Sequence, residues 1–287
     1  LELCGLLFSG SINAETGFGM KRLSIIFIIC FISLSAEVKL VDNLIDFQRV
    51  IDMAEPGDEI ILKEGHYFVD EHIEIEDVQG KNNQPIIIRA EEVGKVKLSG
   101  TGHFKVEECR HLIVEGFYFS QDAEAKSFSI LESQHLRVTN CTFDLRELGQ
   151  KNYWLYISGD KPSNNIRIDH NDFKRKYNEG CFIVVYGPKN DIAKHVRIDR
   201  NYFRGHYFKG DNGGEAIRYG DSNRQNHSSY SVIEENLFEN CNGDVEVISV
   251  KTTEMILRRN TLRYCRGSLV LRHGDSCRVE HNFILDG

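Results

Sequence analysis

NIRIDHNDF (165–173) and HVRIDRNYF (195–203) share one design: alternating apolar residues, a short polar step ending in Asn, then an aromatic residue. Five more segments vary it, with Asn frequent but not universal and an aromatic or aliphatic residue at the close: HLIVEGFYF (111–119), HLRVTNCTF (135–143), YSVIEENLF (230–238), EMILRRNTL (254–262) and SCRVEHNFI (276–284). Their closing residues, Phe119, Phe143, Phe173, Phe203, Phe238, Leu262 and Ile284, stand 24, 30, 30, 35, 24 and 22 residues apart. Alternation with period two marks strands, and no helical periodicity lies between them. Strand units recurring at this pitch stack as a solenoid, because one unit alone cannot bury its apolar face. The expected fold is therefore all-β, a right-handed parallel β-helix whose coils give a rigid floor for a polymer.

The uninterrupted repeat argues for one large domain in the 287 residues. The 24 Gly suit many tight turns, and the 4 Pro suit a chain of ladders that Pro would break. A net charge of −8 argues against non-specific nucleic-acid binding, yet it leaves room for an anionic ligand where cations gather. Near the N-terminus, Met20-Lys21-Arg22 precedes the apolar run Leu23–Leu34, and Ser35-Ala36 supply small residues before Glu37. A basic start, a short apolar core and a small-residue exit describe a signal peptide. The expectation is an upstream segment at 1–19, a signal peptide at 20–36, and a β-helix at 37–287. Such a protein is secreted or periplasmic, with no stable membrane insertion once the signal is removed.

In the mature chain, Asp42 or Asn43 caps a short helix whose Leu44, Phe47, Val50 and Ile51 share a face. That helix would cover the open edge of the first coil. Strands are expected at Glu59–Leu62, Pro85–Ala90 and Val96–Ser99, with lengthened loops at 145–162, 203–215 and 218–229 that build a binding face. The recurrent Asn171, Asn201, Asn236, Asn260 and Asn282 read as a stacked ladder at a coil corner, where Asn tolerates left-handed backbone. Cys109, Cys141, Cys181, Cys241, Cys265 and Cys277 show no metal spacing, and small buried side chains stacked in the coils are favoured over disulfides. The chain stops directly after a strand template at Asp286-Gly287, so further coils or a second domain are expected beyond it.

Three stretches break the template with charge: DNGGEAIRYGDS (211–222), CNGDVEVISVK (241–251) and LVLRHG (269–274). Asp244 and Glu246 are two apart, so on a strand both carboxylates point one way. They form either a solvated acidic pair or a site for a hard cation such as Ca²⁺, with Asn212 adding a neutral oxygen. Lys251 follows Glu246 by five and would face away in a straight strand, so a bend is needed between them. Arg272 lies 21 residues after Lys251, close to one coil.

These stretches resemble polysaccharide lyase family six, which includes chondroitinase B and many alginate lyases. The matching residues are Asn212-Gly213-Gly214-Glu215-Ala216-Ile217-Arg218, then Asn242-Gly243-Asp244-Val245-Glu246-Val247-Ile248-Ser249-Val250-Lys251, then Leu271-Arg272-His273-Gly274. The resemblance covers roughly residues 38–287. It implies Lys251 as catalytic base, Arg272 as catalytic acid, and Asn212, Asp244 and Glu246 as calcium ligands around a substrate carboxylate. Glu215, Arg218 and His273 fall in the same motifs and would shape the substrate groove. Asp244 stands where the family pattern has Glu, and Val250 where a polar Asn is common.

The implied reaction is a β-elimination on an anionic polysaccharide, with alginate the first expectation and dermatan sulfate the second. Calcium would withdraw charge from the uronate carboxylate, a neutral Lys251 would take the C5 proton, and Arg272 would polarise the leaving oxygen. Sulfate recognition would need extra cations, for which Lys174, Arg175, Lys176 and Arg204 are candidates. A non-catalytic carbohydrate-binding β-helix is the alternative from another class.

Overall fold

The computed structural model describes residues 36–287. The upstream segment and all of the expected signal peptide except Ala36 lie outside the described residues. The chain winds as a right-handed parallel β-helix with three sheets of ten, eight and nine strands. Each coil gives one strand to each sheet: Asn164–Asp169, Asp172–Lys176 and Ile183–Val185 make one such turn. Neighbouring coils pair in parallel and in register, as in Ile168 opposite Ile198 and Phe173 opposite Phe203.

Every template yields two short strands bent around a corner. Its first residue is left-handed at His111, His135, Asn165, His195, Tyr230, Glu254 and Ser276, with φ of 51–55°. A second left-handed corner falls at His170, Arg200, Glu235, Arg259 and His281, directly before each ladder asparagine. The sequence reading placed that backbone role on the asparagines themselves, and the residue one step earlier carries it instead. Asn171, Asn201, Asn236 and Asn260 are buried for hydrogen bonding. Asn171 Nδ2 donates to Asn201 Oδ1 at 3.0 Å, Asn201 to Asn236 at 3.1 Å, and Asn236 to Asn260 at 3.0 Å. Each Oδ1 also accepts the backbone N–H of the asparagine one coil earlier, so no corner donor is stranded.

The closing aromatics stack inside. Phe119, Phe143, Phe173, Phe203 and Phe238 form a column with centroids 4.6–4.9 Å apart. The helix Leu44–Asp52 is capped by Asn43, whose side chain accepts from Asp46 N, and it buries Phe47 and Ile51. Phe47 packs on Phe104 and Phe117, closing the N-terminal end of the core. Outside the ten-stranded sheet runs an ionic ladder, Arg137 to Asp169, Arg167 to Asp199 and Arg197 to Glu234. Burial pushes the Asp169 carboxyl up, but hydrogen bonds from Arg137 and His170 prevail and hold it below the usual range. The six cysteines among the described residues are free, five of them buried.

All three expected loops are shorter than the sequence reading had them. Tyr153–Ser158 is a strand inside 145–162, Tyr202–His206 takes the first part of 203–215, and Ile217–Gly220 the first part of 218–229. In each, the strand pairs with the coils on either side, which outweighs the loss of the simple template.

Candidate active site

The eight-stranded sheet carries the charged motifs on its outer face. Arg218 pairs with Ser249 and Gly220 with Lys251 across the strands Ile217–Gly220 and Glu246–Lys251. Val250 pairs with Leu271, and Arg272 N donates to Val250 O at 2.8 Å, so Arg272 stands one rung beyond Lys251. The motifs NGGE, NGDVEVISVK and LRHG thus occupy three successive coils.

The bend that the lysine required is present. Register shifts between Glu246 and Ile248 as a bulge, and Val247 and Ile248 both enter the core. The extra residue returns Glu246 to the outward face shared by Ser249 and Lys251. Glu246 Oε1 accepts from Arg272 Nη1 at 3.3 Å, while its Oε2 is buried without a partner.

Asp244 lies ahead of the strand rather than on it, so the same-face argument does not reach it. Its carboxylate is 3% exposed and turns back onto the neighbouring coil. Oδ2 accepts from Gly213 N at 2.8 Å and Gly214 N at 3.3 Å, and Oδ1 from Glu246 N at 3.2 Å. Gly214 and Gly243 let this happen. A Cβ on either would collide with the backbone of the other, and one on Gly243 would also strike His206.

Glu215 is fully buried and grips Arg218 through both oxygens, at 2.9 and 2.6 Å. Lys251 Nζ sits 4.0 Å from Glu215 Oε1, with its side chain 12% exposed. Behind Glu215 lies Cys181, whose thiol is pushed up to about 12 by burial and then by the Glu215 charge. Asn212 and His273 are exposed, Asn212 in the turn before Gly213 and His273 beside Arg272. The structure thus brings Glu215, Arg218, Glu246, Lys251 and Arg272 together, with Asp244 beneath them as a buried anchor.

Sequence reading missed a group of tyrosines beside these residues. Tyr153, Tyr156 and Tyr186 cluster with ring centroids 6.1 Å apart in successive pairs. Burial pushes the Tyr186 hydroxyl up to about 12, against an opposing hydrogen bond with Arg218. The alternation in YWLYIS (153–158) was the available signal. The proposed sulfate cations, by contrast, lie on the nine-stranded sheet. Arg175 pairs with Asp144, Lys176 with Glu147 and Arg204 with Asp172, and Lys174 lies between Asp144 and Asp172.

The residues fit a divalent cation in part. Carboxylate and amide oxygens are hard donors, and the stranded Glu246 Oε2 is a carboxylate oxygen lacking a positive partner. Asp244 would join only by sharing oxygens that already accept amide hydrogens. Among the described residues, no group of three or more His, Cys, Asp or Glu side chains is arranged to hold a metal by itself.

A family model described as Chondroitinase B matches residues 41–287. A search of curated proteins matches none. Among solved structures, the PL6 family alginate lyase AlyGC is 30% identical with a TM-score of 0.77, covering 87% of this chain and 35% of its own. A mannuronic acid specific polysaccharide family 6 lyase from human gut microbiota is 26% identical with a TM-score of 0.75, covering 87% of this chain and 59% of its own. A pectate lyase from Xanthomonas campestris, 12% identical with a TM-score of 0.56, shares the fold alone. The chain therefore spans about a third of the length of the first of these lyases and about three fifths of the second. With the family match running over nearly every described residue, the chain belongs to the chondroitinase B family, polysaccharide lyase family six.

Proposed function

We propose that this chain is the catalytic β-helix of a polysaccharide lyase that cleaves a uronate polymer, alginate in the first place, by β-elimination. The observation that carries the reading is the adjacency of Lys251 and Arg272 on one outward face, with Glu246 against Arg272. Lys251 in its neutral form removes the C5 proton of the uronate. The C4–O bond breaks, its electrons leave with the oxygen, and the C5–H pair becomes the C4=C5 double bond. Arg272 stays cationic and stabilises the departing oxygen, which takes its proton from water. Arg218, fixed by Glu215, adds positive charge beside the path of the polymer. Calcium held by Glu246, with Asn212 and Asp244, would offset the charge of the uronate carboxylate when bound.

Dermatan sulfate is less favoured, because the four cations considered for sulfate are matched to carboxylates on another sheet. The test is ultraviolet absorbance of unsaturated uronate on polymannuronate, polyguluronate, mixed alginate and dermatan sulfate, with calcium and with chelator. A rise on alginate that Lys251→Ala abolishes supports the reading. A flat trace on all four from folded protein sinks it in favour of a binding module. Calcium titration by calorimetry checks the metal separately, with binding expected for the native chain and lost in Glu246→Gln.

A further inference from the structure

The outer face of the eight-stranded sheet continues well past the motifs, and its register lines up residues from distant coils. One file runs Lys251, Gly220, the coil of Tyr186, Ser158, Leu131, Glu107 and Glu76. The file beside it runs Ser249, Arg218, Val184, Tyr156, Ser129, Lys105 and Glu74. Charge along this face therefore changes in three steps. The C-terminal coils present Lys251 together with Arg272 and Arg218, the two arginines paired with Glu246 and Glu215. The middle coils present tyrosine, serine, valine and leucine, with Lys126 over the Tyr156 ring. The N-terminal coils present Glu107, Glu76 and Glu74.

This last group is not neutralised locally. Among the described residues, Glu107, Glu76 and Glu74 make no salt bridge, while Lys105 is held by Glu124 and Lys161 by Glu108 and Glu132. The Glu107 carboxyl is raised by burial and then by Glu132, Glu76, Glu108 and Glu74, so it already feels its neighbours' charge. Glu107 stands five rungs from Lys251, on the order of 24 Å at the usual strand spacing.

We propose that Glu107 and Glu76 form an electrostatic end-stop for the substrate groove, so that an anionic polysaccharide occupies the tyrosine-lined rungs N-terminal to Lys251 and no more. This rests on the uronate-polymer reading above. A uronate carries one negative charge per sugar, and each unit laid over the acidic rungs meets carboxylates of the same sign at short range. The rungs between offer what a sugar needs: tyrosine faces at Tyr153, Tyr156 and Tyr186, with Lys126 Nζ 4.6 Å over the Tyr156 ring. The groove thereby distinguishes oligomers by length on one side of the scissile bond.

The test is calorimetric affinity for saturated oligouronates of increasing length, in the Lys251→Ala background so that none is cleaved. Affinity is expected to rise with length and then level off. Adding Glu76→Gln and Glu107→Gln together should move the plateau to longer oligomers and tighten the longest by at least about threefold, an effect that salt diminishes. Glu92→Gln, an exposed carboxylate away from this face, should leave the plateau in place. An unchanged plateau in the double variant, or an equal shift with Glu92→Gln, overturns the end-stop while leaving the lyase reading intact. Absence of binding to every oligouronate overturns both.

Discussion

Arg272 and Asp244 show how differently two charged residues of one site are held. The Arg272 side chain is 49% exposed and touches the protein through Glu246 alone among its ion pairs. Arg272→Ala should therefore leave the thermal midpoint unchanged while turnover falls by about 10²–10³, the usual loss when one donor to a developing oxyanion is removed. Steady-state kinetics and a melting curve on the same preparation check both halves. Asp244 is the opposite case. Removing its carboxylate strands the amides of Gly213 and Gly214, so Asp244→Ala should cost about 1–3 kcal/mol in urea unfolding. Asp244→Asn keeps an acceptor oxygen and should recover part of that loss. Equal destabilisation by both substitutions would show that the charge, rather than the hydrogen bonds, holds the turn.

Among the elements, the asparagine ladder and the ionic ladder do complementary work at the coil corners. The asparagines satisfy corner amides that face the interior, where no water can reach them. Asn236 sits mid-ladder, donating to Asn260 Oδ1 and to Ile198 O while accepting from Asn201. Asn236→Ala leaves donors on one coil and an acceptor on the next without partners, and should lower stability by about 1–3 kcal/mol. Chemical denaturation measures this, and hydrogen exchange should localise the loss to the corner amides of Asn201 and its neighbours. A loss spread evenly over the solenoid would contradict nearest-neighbour stacking. The strand Tyr153–Ser158 shows why element boundaries were hard to read. Its sequence lacks the template asparagine, and only pairing with Lys126–Leu131 and Ile183–Val185 makes it a strand.

For the whole molecule, stability should depend on pH through groups that join one coil to the next. His206 bridges coils by bonding Gly180 O while its ring lies against Gly243. Burial, with Lys176 adding to it, lowers its pKa from 6.5 to about 3. The unfolded chain takes up a proton between those values and the folded chain does not. Stability is therefore full above pH 6.5 and declines as pH falls toward about 3. Urea midpoints measured from about pH 8 down to about pH 4 should show that decline, and His206→Gln should flatten it. The β-helix itself was legible at this scale, since seven templates recurring every 22 to 35 residues with no helix between them admit little besides stacked coils, and the three motifs lie on neighbouring coils as their spacing implied. The arrangement within the site was less legible. A two-residue spacing placed Asp244 and Glu246 on one face, yet the turn buries the first and the bulge at Val247 sets the second. Neither the tyrosines beside Arg218 nor the acidic file beyond them carries a motif. Periodicity and composition are local properties, so the amino-acid sequence alone determined the strands, the coil pitch and the order of the charged stretches. Which side chains meet across coils depends on register, loop length and a single extra residue in one strand, and those are decided only when the coils stack.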